Sequence, residues 1–185
     1  MTSVPVRVLT QDLIDRNELC LQQLEVLAQC SWEQLTNAPK PGKWSAIECV
    51  QHLQLYAQYY MPLISAALNA NNQWTSYDTI YRSSYWGDYI AKSMLPTLKG
   101  DLRKMKTPSA KRPHLSQASM QVIDDFRTEL QNLKALCNNA DNFNLNKKCI
   151  AIAIFPLIKI SIGDALRFVI YHNQRHFAQA IAALG

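Results

Sequence analysis

The stretch GDALRFVIYHNQRHFAQ, residues 163–179, repeats apolar residues at the spacing of one helix face and carries two histidines four positions apart. Ser161 and Asp164 form a capping motif of the S-x-x-D kind at its start, so the stretch is predicted to be a helix. A separation of four places His172 and His176 on one face of that helix, about 6 Å apart along its axis. Two imidazoles placed in this way can bind one metal ion, but they cannot complete its coordination.

A third histidine, His52, is available in a second predicted helix. The stretch PGKWSAIECVQHL, residues 41–53, contains Ser45 and Glu48, which form an S-x-x-E capping box, and His52 follows between apolar neighbours. Neutral imidazoles are costly to bury without partners, which favours a shared metal site. The alternative is that these histidines are exposed to solvent and that the pair on the last helix falls four apart by chance.

Apolar residues recur at helical spacing in four long segments, which predicts an all-α protein with a four-helix bundle. The predicted helix starts are Thr10, Ser45, Ser116 and Ser161. The second helix is expected to end near the sequence NANNQ and to be kinked at Pro62, and the third to end at about Cys137. The segment from Cys149 to Phe155 is predicted to be an extended, buried connector. The length of the chain predicts one domain over residues 1–185.

A long irregular insertion, first aromatic and then basic, separates the second and third helices. Tyrosines recur every four residues from Tyr77 to Tyr89, which indicates packing against the bundle or at a subunit interface rather than a cover over a metal. The basic stretch 99–113 is predicted to be a solvated loop rather than a nucleic-acid surface, because no binding motif accompanies the charge. His114 follows Pro113 in this loop and is expected to be exposed.

Composition excludes several classes of protein. The chain has only 5 glycines and neither a GxGxxG nor a GxxxxGK[ST] motif, so the usual signatures of nucleotide binding are missing. Its 5 cysteines are scattered and form no CxxC pair, which indicates reduced, buried thiols. The N-terminal sequence lacks an apolar signal core, and the most apolar run is interrupted at Pro156 and Lys159. We therefore expect a cytoplasmic protein with neither a membrane nor a nucleic acid as partner.

The two histidine stretches together resemble the DinB-like (DinB/YfiT-like) superfamily of bacterial metal-binding four-helix-bundle proteins. Lys43, Trp44 and Ser45 match the start of its second helix, where a histidine follows seven residues after the serine, and HxxxH matches its last helix. The resemblance implies a divalent metal, nickel or zinc, held by His52, His172 and His176. It also implies a homodimer as a common assembly.

Other residues near the histidines are candidates for supporting roles. Glu48 is the candidate catalytic base, although its role in the capping box already accounts for a glutamate at this position. Tyr56 is expected on the same face as His52, either lining a pocket or packing in the core. Asn173 and Gln179 are expected to be hydrogen-bond partners of metal-bound histidines. Trp44 is expected to anchor the start of the second helix.

Two functions of different kinds follow from these expectations. One is an enzyme, either a metal-dependent hydrolase or an S-transferase that uses a low-molecular-weight thiol, both of which the resemblance implies. The alternative is a metal-binding or stress-related interaction protein without turnover, whose contact surface would be the basic stretch 99–113. Three imidazoles leave a coordination position open, which is typical of catalytic metal sites.

Overall fold

The computed structural model describes residues 1–70, 79–96 and 105–185. These residues contain six α-helices and four short strands: β1 (Ser3–Pro5), α1 (Val6–Ala28), α2 (Trp32–Thr36), α3 (Ala46–Asn69), β2 (Ile80–Arg82), α4 (Tyr85–Ser93), α5 (Gln121–Ala140), β3 (Lys148–Ile152), β4 (Phe155–Ser161) and α6 (Ile162–Ala183). Two 3-10 turns, Ser109–Lys111 and Leu115–Gln117, lie between α4 and α5.

The four long helices, α1, α3, α5 and α6, form the bundle that the sequence predicts. Helices α3 and α1 each pack against both α5 and α6. Their shared core is apolar and fully buried, as at Leu13, Ile47, Phe126 and Phe177. The prediction of an all-α four-helix bundle with an insertion between its second and third long helices is therefore confirmed. No helix in the described ranges is both long and apolar enough to cross a membrane.

The first helix starts earlier than the sequence predicts. Helix α1 begins at Val6, so the expectation that Thr10 caps it is wrong. Val6 and Leu9 are buried, which extends the apolar face of the helix by a turn toward the N-terminus. Thr10 lies inside the helix, where its hydroxyl donates a hydrogen bond to the carbonyl of Val6 at 3.2 Å.

The capping box of α3 and the serine cap of α6 are present at the predicted positions, whereas α5 starts later. Ser45 precedes α3, and Ser161 precedes α6 with its Oγ accepting from the backbone N–H of Asp164 at 3.0 Å. Helix α5 begins at Gln121 rather than at Ser116, because residues up to Gln117 form a 3-10 turn and Ala118 is extended with a ψ of 148°.

An antiparallel hairpin, β3–β4, precedes α6 and runs directly into it. The prediction of an extended segment between Cys149 and Phe155 agrees with β3, but the expectation that the whole segment is buried is wrong, because Ile154 and Phe155 are exposed. Strand β4 is an element that the sequence did not predict. Most of β4 is exposed, so it lacks the alternation of buried and exposed residues by which a strand is recognised in sequence.

The tyrosines of the insertion do not share one helix. Tyr77 lies outside the described residues, Tyr81 lies in β2 and is fully buried, and Tyr85 and Tyr89 lie in α4 and are exposed. The regular spacing of four therefore does not correspond to a continuous helical stripe.

A buried polar network fixes α4 and β2 against the start of α6. The carboxylate of Asp164, which is 0% exposed, accepts hydrogen bonds from the Tyr81 hydroxyl at 2.6 Å and the Ser84 hydroxyl at 3.1 Å. Arg167, one turn further along α6, donates to Asp88 of α4 at 2.9 Å. At Gly87 a Cβ would overlap the Asp164 carboxylate, so only glycine permits this close approach.

Candidate metal centre

The structure brings together the three histidines singled out by the sequence. His172 and His176 lie one turn apart on α6, and His52 faces them from the neighbouring helix α3; all three are buried. One ring nitrogen from each lies within 4.8 Å of the other two. Nε2 of His52 and Nε2 of His172 are 3.3 Å apart.

The protonation state of His52 follows from its second contact. Its Nδ1 lies 2.6 Å from the main-chain carbonyl oxygen of Lys111. A carbonyl oxygen only accepts hydrogen bonds, so Nδ1 carries the proton and donates it. In the neutral ring Nε2 then bears the free electron pair, and this pair faces His172.

Burial keeps all three imidazoles neutral near pH 7. It lowers the pKa of His52 to about 4, against the favourable hydrogen bond to Lys111. The pKa values of His172 and His176 fall well below the ordinary value, first through burial and then through neighbouring imidazoles and the Arg175 guanidinium. A side-chain hydrogen bond with Gln179 acts in the opposite direction and raises the pKa of His176, but by less than burial lowers it. Metal ligation requires neutral imidazole, so the electrostatics of the site favour it.

These residues are suited to a divalent metal ion, and one pair of their nitrogens already has the separation that such an ion requires. Two nitrogens that each lie about 2.0–2.1 Å from one tetrahedral zinc are about 3.3 Å apart, which is the separation of the His52 and His172 nitrogens. Nδ1 of His176 is buried and has no hydrogen-bond partner among the described residues, an arrangement that is costly for a polar atom with nothing to bind. Nickel and zinc both accept imidazole ligands.

Aromatic rings pack around the histidines and hold them in place. Phe168, one turn before His172, stacks on it with centroids 5.4 Å apart and an interplanar angle of 13°. Tyr56 lies 4.5 Å from the ring of His172, and Trp44 lies 4.8 Å from the ring of His52. Trp44, expected to anchor the start of α3, thus also packs directly on a candidate ligand. These ring contacts restrict the orientations that the imidazoles can adopt.

The histidines open onto a cleft of about 1190 Å³. Tyr56 and Gln179 line it, whereas Asn173 is buried on α6 and is not among the described residues that line the cleft. Helix α4 contributes Trp86 and Tyr89, so part of the tyrosine-rich insertion forms a wall of the cleft. Further walls come from the β3–β4 hairpin, which sequence reasoning did not connect with the site.

Two titratable groups near the histidines have poor properties as catalytic bases or nucleophiles. Oε2 of Glu48 accepts hydrogen bonds from the backbone N–H and the hydroxyl of Ser45, both at 2.9 Å, as a capping residue does. Cys49 lines the cleft, but burial raises the pKa of its thiol to about 12, so it stays protonated. His114 is exposed and is not part of the histidine cluster.

The basic stretch is only partly solvated. Lys99, Arg103 and Lys104 lie outside the described residues. Lys111 is half-buried against α3, where its Nζ donates to the carbonyl of Leu55 at 2.6 Å, and in this respect the expectation of a solvated loop is wrong. Main-chain carbonyls carry no sequence signature, so the contact of Lys111 with His52 was not predictable from residue types.

Comparison with known families gives one finding. A family model described as the DinB superfamily matches residues 21–180, a range that contains all three histidines of the cluster. Neither the curated proteins nor the solved structures contain a match to the chain.

Proposed function

Because the chain belongs to the DinB superfamily, we propose that His52, His172 and His176 hold a divalent metal ion and that the protein is a metal-dependent enzyme. The superfamily is generally metal-binding. The observation that carries the proposal is the convergence of three buried, neutral imidazoles on the wall of a large cleft. A structural zinc usually has four protein ligands, whereas three leave a position for substrate.

The metal is zinc or nickel under this proposal. All three candidate ligands are imidazoles, which suit both ions, whereas magnesium and calcium prefer oxygen ligands. When bound, such an ion lowers the pKa of a coordinated water or thiol, so that either ionises near neutral pH.

The residues around the site favour thiol transfer over hydrolysis. No Asp or Glu is among the described residues of the cleft, so they offer no carboxylate as general base. An ordinary thiol has a pKa of about 8.5 and ionises far more readily than water, so it depends less on such a base. The sulfur forms a bond to an electrophilic carbon, the thiol proton passes to solvent, and the leaving group departs with its bonding electrons.

Tyr56 is suited to assist the leaving group. Burial raises the pKa of its phenol, so the hydroxyl remains protonated at neutral pH and acts as a hydrogen-bond donor rather than a base. It lines the cleft and its ring packs against His172. Metal-dependent hydrolysis is the second enzymatic candidate, and a metal-binding or interaction protein without turnover is the non-enzymatic alternative.

Turnover measurements test the enzymatic proposal. The zinc- or nickel-loaded protein is assayed with small thiols against an aryl halide and an epoxide, and separately against esters and amides. We expect product that requires both thiol and metal, is lost in His52→Ala and is retained in His114→Ala. Ester or amide cleavage without thiol would support the hydrolase instead. Bound metal with no turnover in any assay would favour the non-enzymatic alternative.

A further inference from the structure

The charges that line the cleft are of one sign. The described residues lining it include five cations and no Asp or Glu; the cations are Lys40, Lys43, Lys106, Arg112 and Arg175. The whole chain has 14 acidic residues against 19 Lys and Arg, so its overall composition does not produce this imbalance. The cleft therefore presents a local positive potential to whatever enters it.

Four of these cations lie at the surface of the cleft. Lys40 and Lys43 come from the segment before α3, and Lys106 and Arg112 from the segment that carries the first 3-10 turn. All four are exposed, and none forms an ion pair within the described parts of the chain. Exposed cations in a concave surface increase the rate at which an anion is captured.

The fifth cation, Arg175, is inside. It lies on α6 between His172 and His176, lines the cleft and is only 7% exposed. Its charge is close enough to lower the pKa of both neighbouring imidazoles. A guanidinium remains charged at any ordinary pH and presents paired N–H donors that match the oxygens of a carboxylate, sulfonate or phosphate.

The remainder of the cleft surface is apolar and partly exposed. Trp86 of α4 is 59% exposed and Phe155 at the start of β4 is 61% exposed, and both line the cleft. Tyr89 of α4 and Ile154, in the turn between β3 and β4, are also exposed and line the cleft. Such side chains provide contact area for an apolar or aromatic part of a ligand.

We propose that the substrate of this cleft is an organic anion, with an oxyanion group bound by Arg175 and an apolar body placed against Trp86 and Phe155. This rests on the proposed function in one respect, since the bound anion is the molecule on which the metal-dependent reaction acts. The charge pattern itself does not require the metal.

A matched pair of fluorescent dyes tests the proposal. The anionic probe is 8-anilinonaphthalene-1-sulfonate, and N-phenyl-1-naphthylamine has the same aromatic body without the sulfonate. We expect the wild-type protein to bind the sulfonate about tenfold more tightly or better, because a charge-assisted bidentate contact has that magnitude. Equal affinity for the two dyes would overturn the proposal.

Variants test whether Arg175 is the residue that binds the sulfonate group. Arg175→Met should weaken binding of the sulfonate about tenfold and leave the neutral dye within about twofold, with Arg175→Lys intermediate. Lys147→Met removes an exposed cation that does not line the cleft, and it should leave the affinities for both dyes unchanged. An equal loss for both dyes in Arg175→Met, with its helical circular dichroism intact, would assign Arg175 a packing role and contradict the proposal.

A second variant covers the case in which Arg175→Met does not fold. Lys43→Glu/Arg112→Glu reverses two exposed charges, so folding should be unaffected. It should weaken sulfonate binding about tenfold at low salt and progressively less as salt is added. If it binds the sulfonate as the wild type does, the cleft is not an anion site.

The same titrations in a His52→Ala background separate this inference from the proposed function. The loss caused by Arg175→Met should persist in that background, because the anion contact does not depend on the metal. If the wild-type protein binds the sulfonate selectively but holds no metal, the proposed metal-dependent function is wrong and the anion site stands. If the protein shows metal-dependent turnover but binds both dyes equally, the anion site is wrong and the proposed function stands.

Discussion

The imidazole of His52 donates its Nδ1 proton to the main-chain carbonyl oxygen of Lys111 over 2.6 Å. This contact joins a histidine of the bundle core to the 3-10 turn of the insertion, 59 residues away in sequence. Histidines that bind metals usually donate a hydrogen bond from the N–H of their second ring nitrogen to such an acceptor, which fixes the tautomer and the orientation of the ring. The insertion thus supports the candidate metal centre as well as bounding its cleft.

Loosening this turn should weaken metal binding. The Lys111 side chain anchors the turn by donating to the carbonyl of Leu55, and its Nζ lies 5.6 Å from the centroid of the Tyr56 ring. In Lys111→Met both contacts are lost, and we expect the affinity for zinc to fall about tenfold, as for other residues that support metal ligands. Competition with a zinc-sensitive dye measures it.

Ser109→Ala is the matched control for Lys111→Met, because Ser109 is exposed in the same turn. Its zinc affinity should equal that of the wild type. Equal affinities in all three proteins would show that the turn does not support His52.

The metal-free protein should lose stability as the pH falls from about 7 to about 4. Burial lowers the pKa of His52 to about 4, and those of His172 and His176 well below 6.5. Below pH 6.5 the unfolded chain therefore binds protons that the native protein does not, so the free energy of unfolding decreases with decreasing pH. The slope is at most about 1.4 kcal/mol per pH unit for each histidine.

Urea denaturation in the presence of EDTA checks this pH dependence. His172→Leu should show a shallower slope than the wild type, whereas His114→Ala, changed at an exposed histidine, should match the wild type. An unchanged slope in His172→Leu would contradict the prediction, because it would mean that His172 has the same pKa in the native protein as in the unfolded chain.

Gly87→Ala should destabilise the wall of the cleft formed by α4. The added Cβ overlaps the carboxylate of Asp164, which is fully buried and held by several hydrogen bonds. We expect the free energy of unfolding to fall by about 1–3 kcal/mol, the usual cost of overpacking. Tyr85→Ala, an exposed change in the same helix, should cost much less. Equal melting temperatures for the two variants would contradict the close packing of α4 on α6.

The sequence predicted the parts of this molecule that follow a local pattern. Spacing of four and a capping motif located His172 and His176 on α6, and the capping box of Ser45 and Glu48 located His52 on a second helix. The resemblance then assigned all three as metal ligands. The predicted start of α1 was wrong. Thr10 is a residue type that often caps helices, but the helix begins at Val6, and the buried side chains of Val6 and Leu9 belong to its apolar face.

Contacts between distant segments were not predictable in the same way. Asp164 was recognised as a capping residue, yet it also accepts hydrogen bonds from Tyr81 and Ser84, about 80 residues earlier, and no periodicity encodes such a pairing. The support of His52 by Lys111 depends on a backbone atom that every residue possesses. The cleft likewise arises from α4 and the β3–β4 hairpin, whose exposed residues leave only weak signals in sequence.

The metal content of the purified protein tests the central claim most directly. Elemental analysis is made on the wild type and on His52→Ala, His172→Ala and His176→Ala, with His114→Ala as the control. We predict about one zinc or nickel ion per chain in the wild type and the control, and a large loss in each of the other three, because two imidazoles hold a labile ion poorly. The same metal content in all five proteins, or none in the wild type after incubation with zinc or nickel, would contradict the assignment of these histidines as ligands.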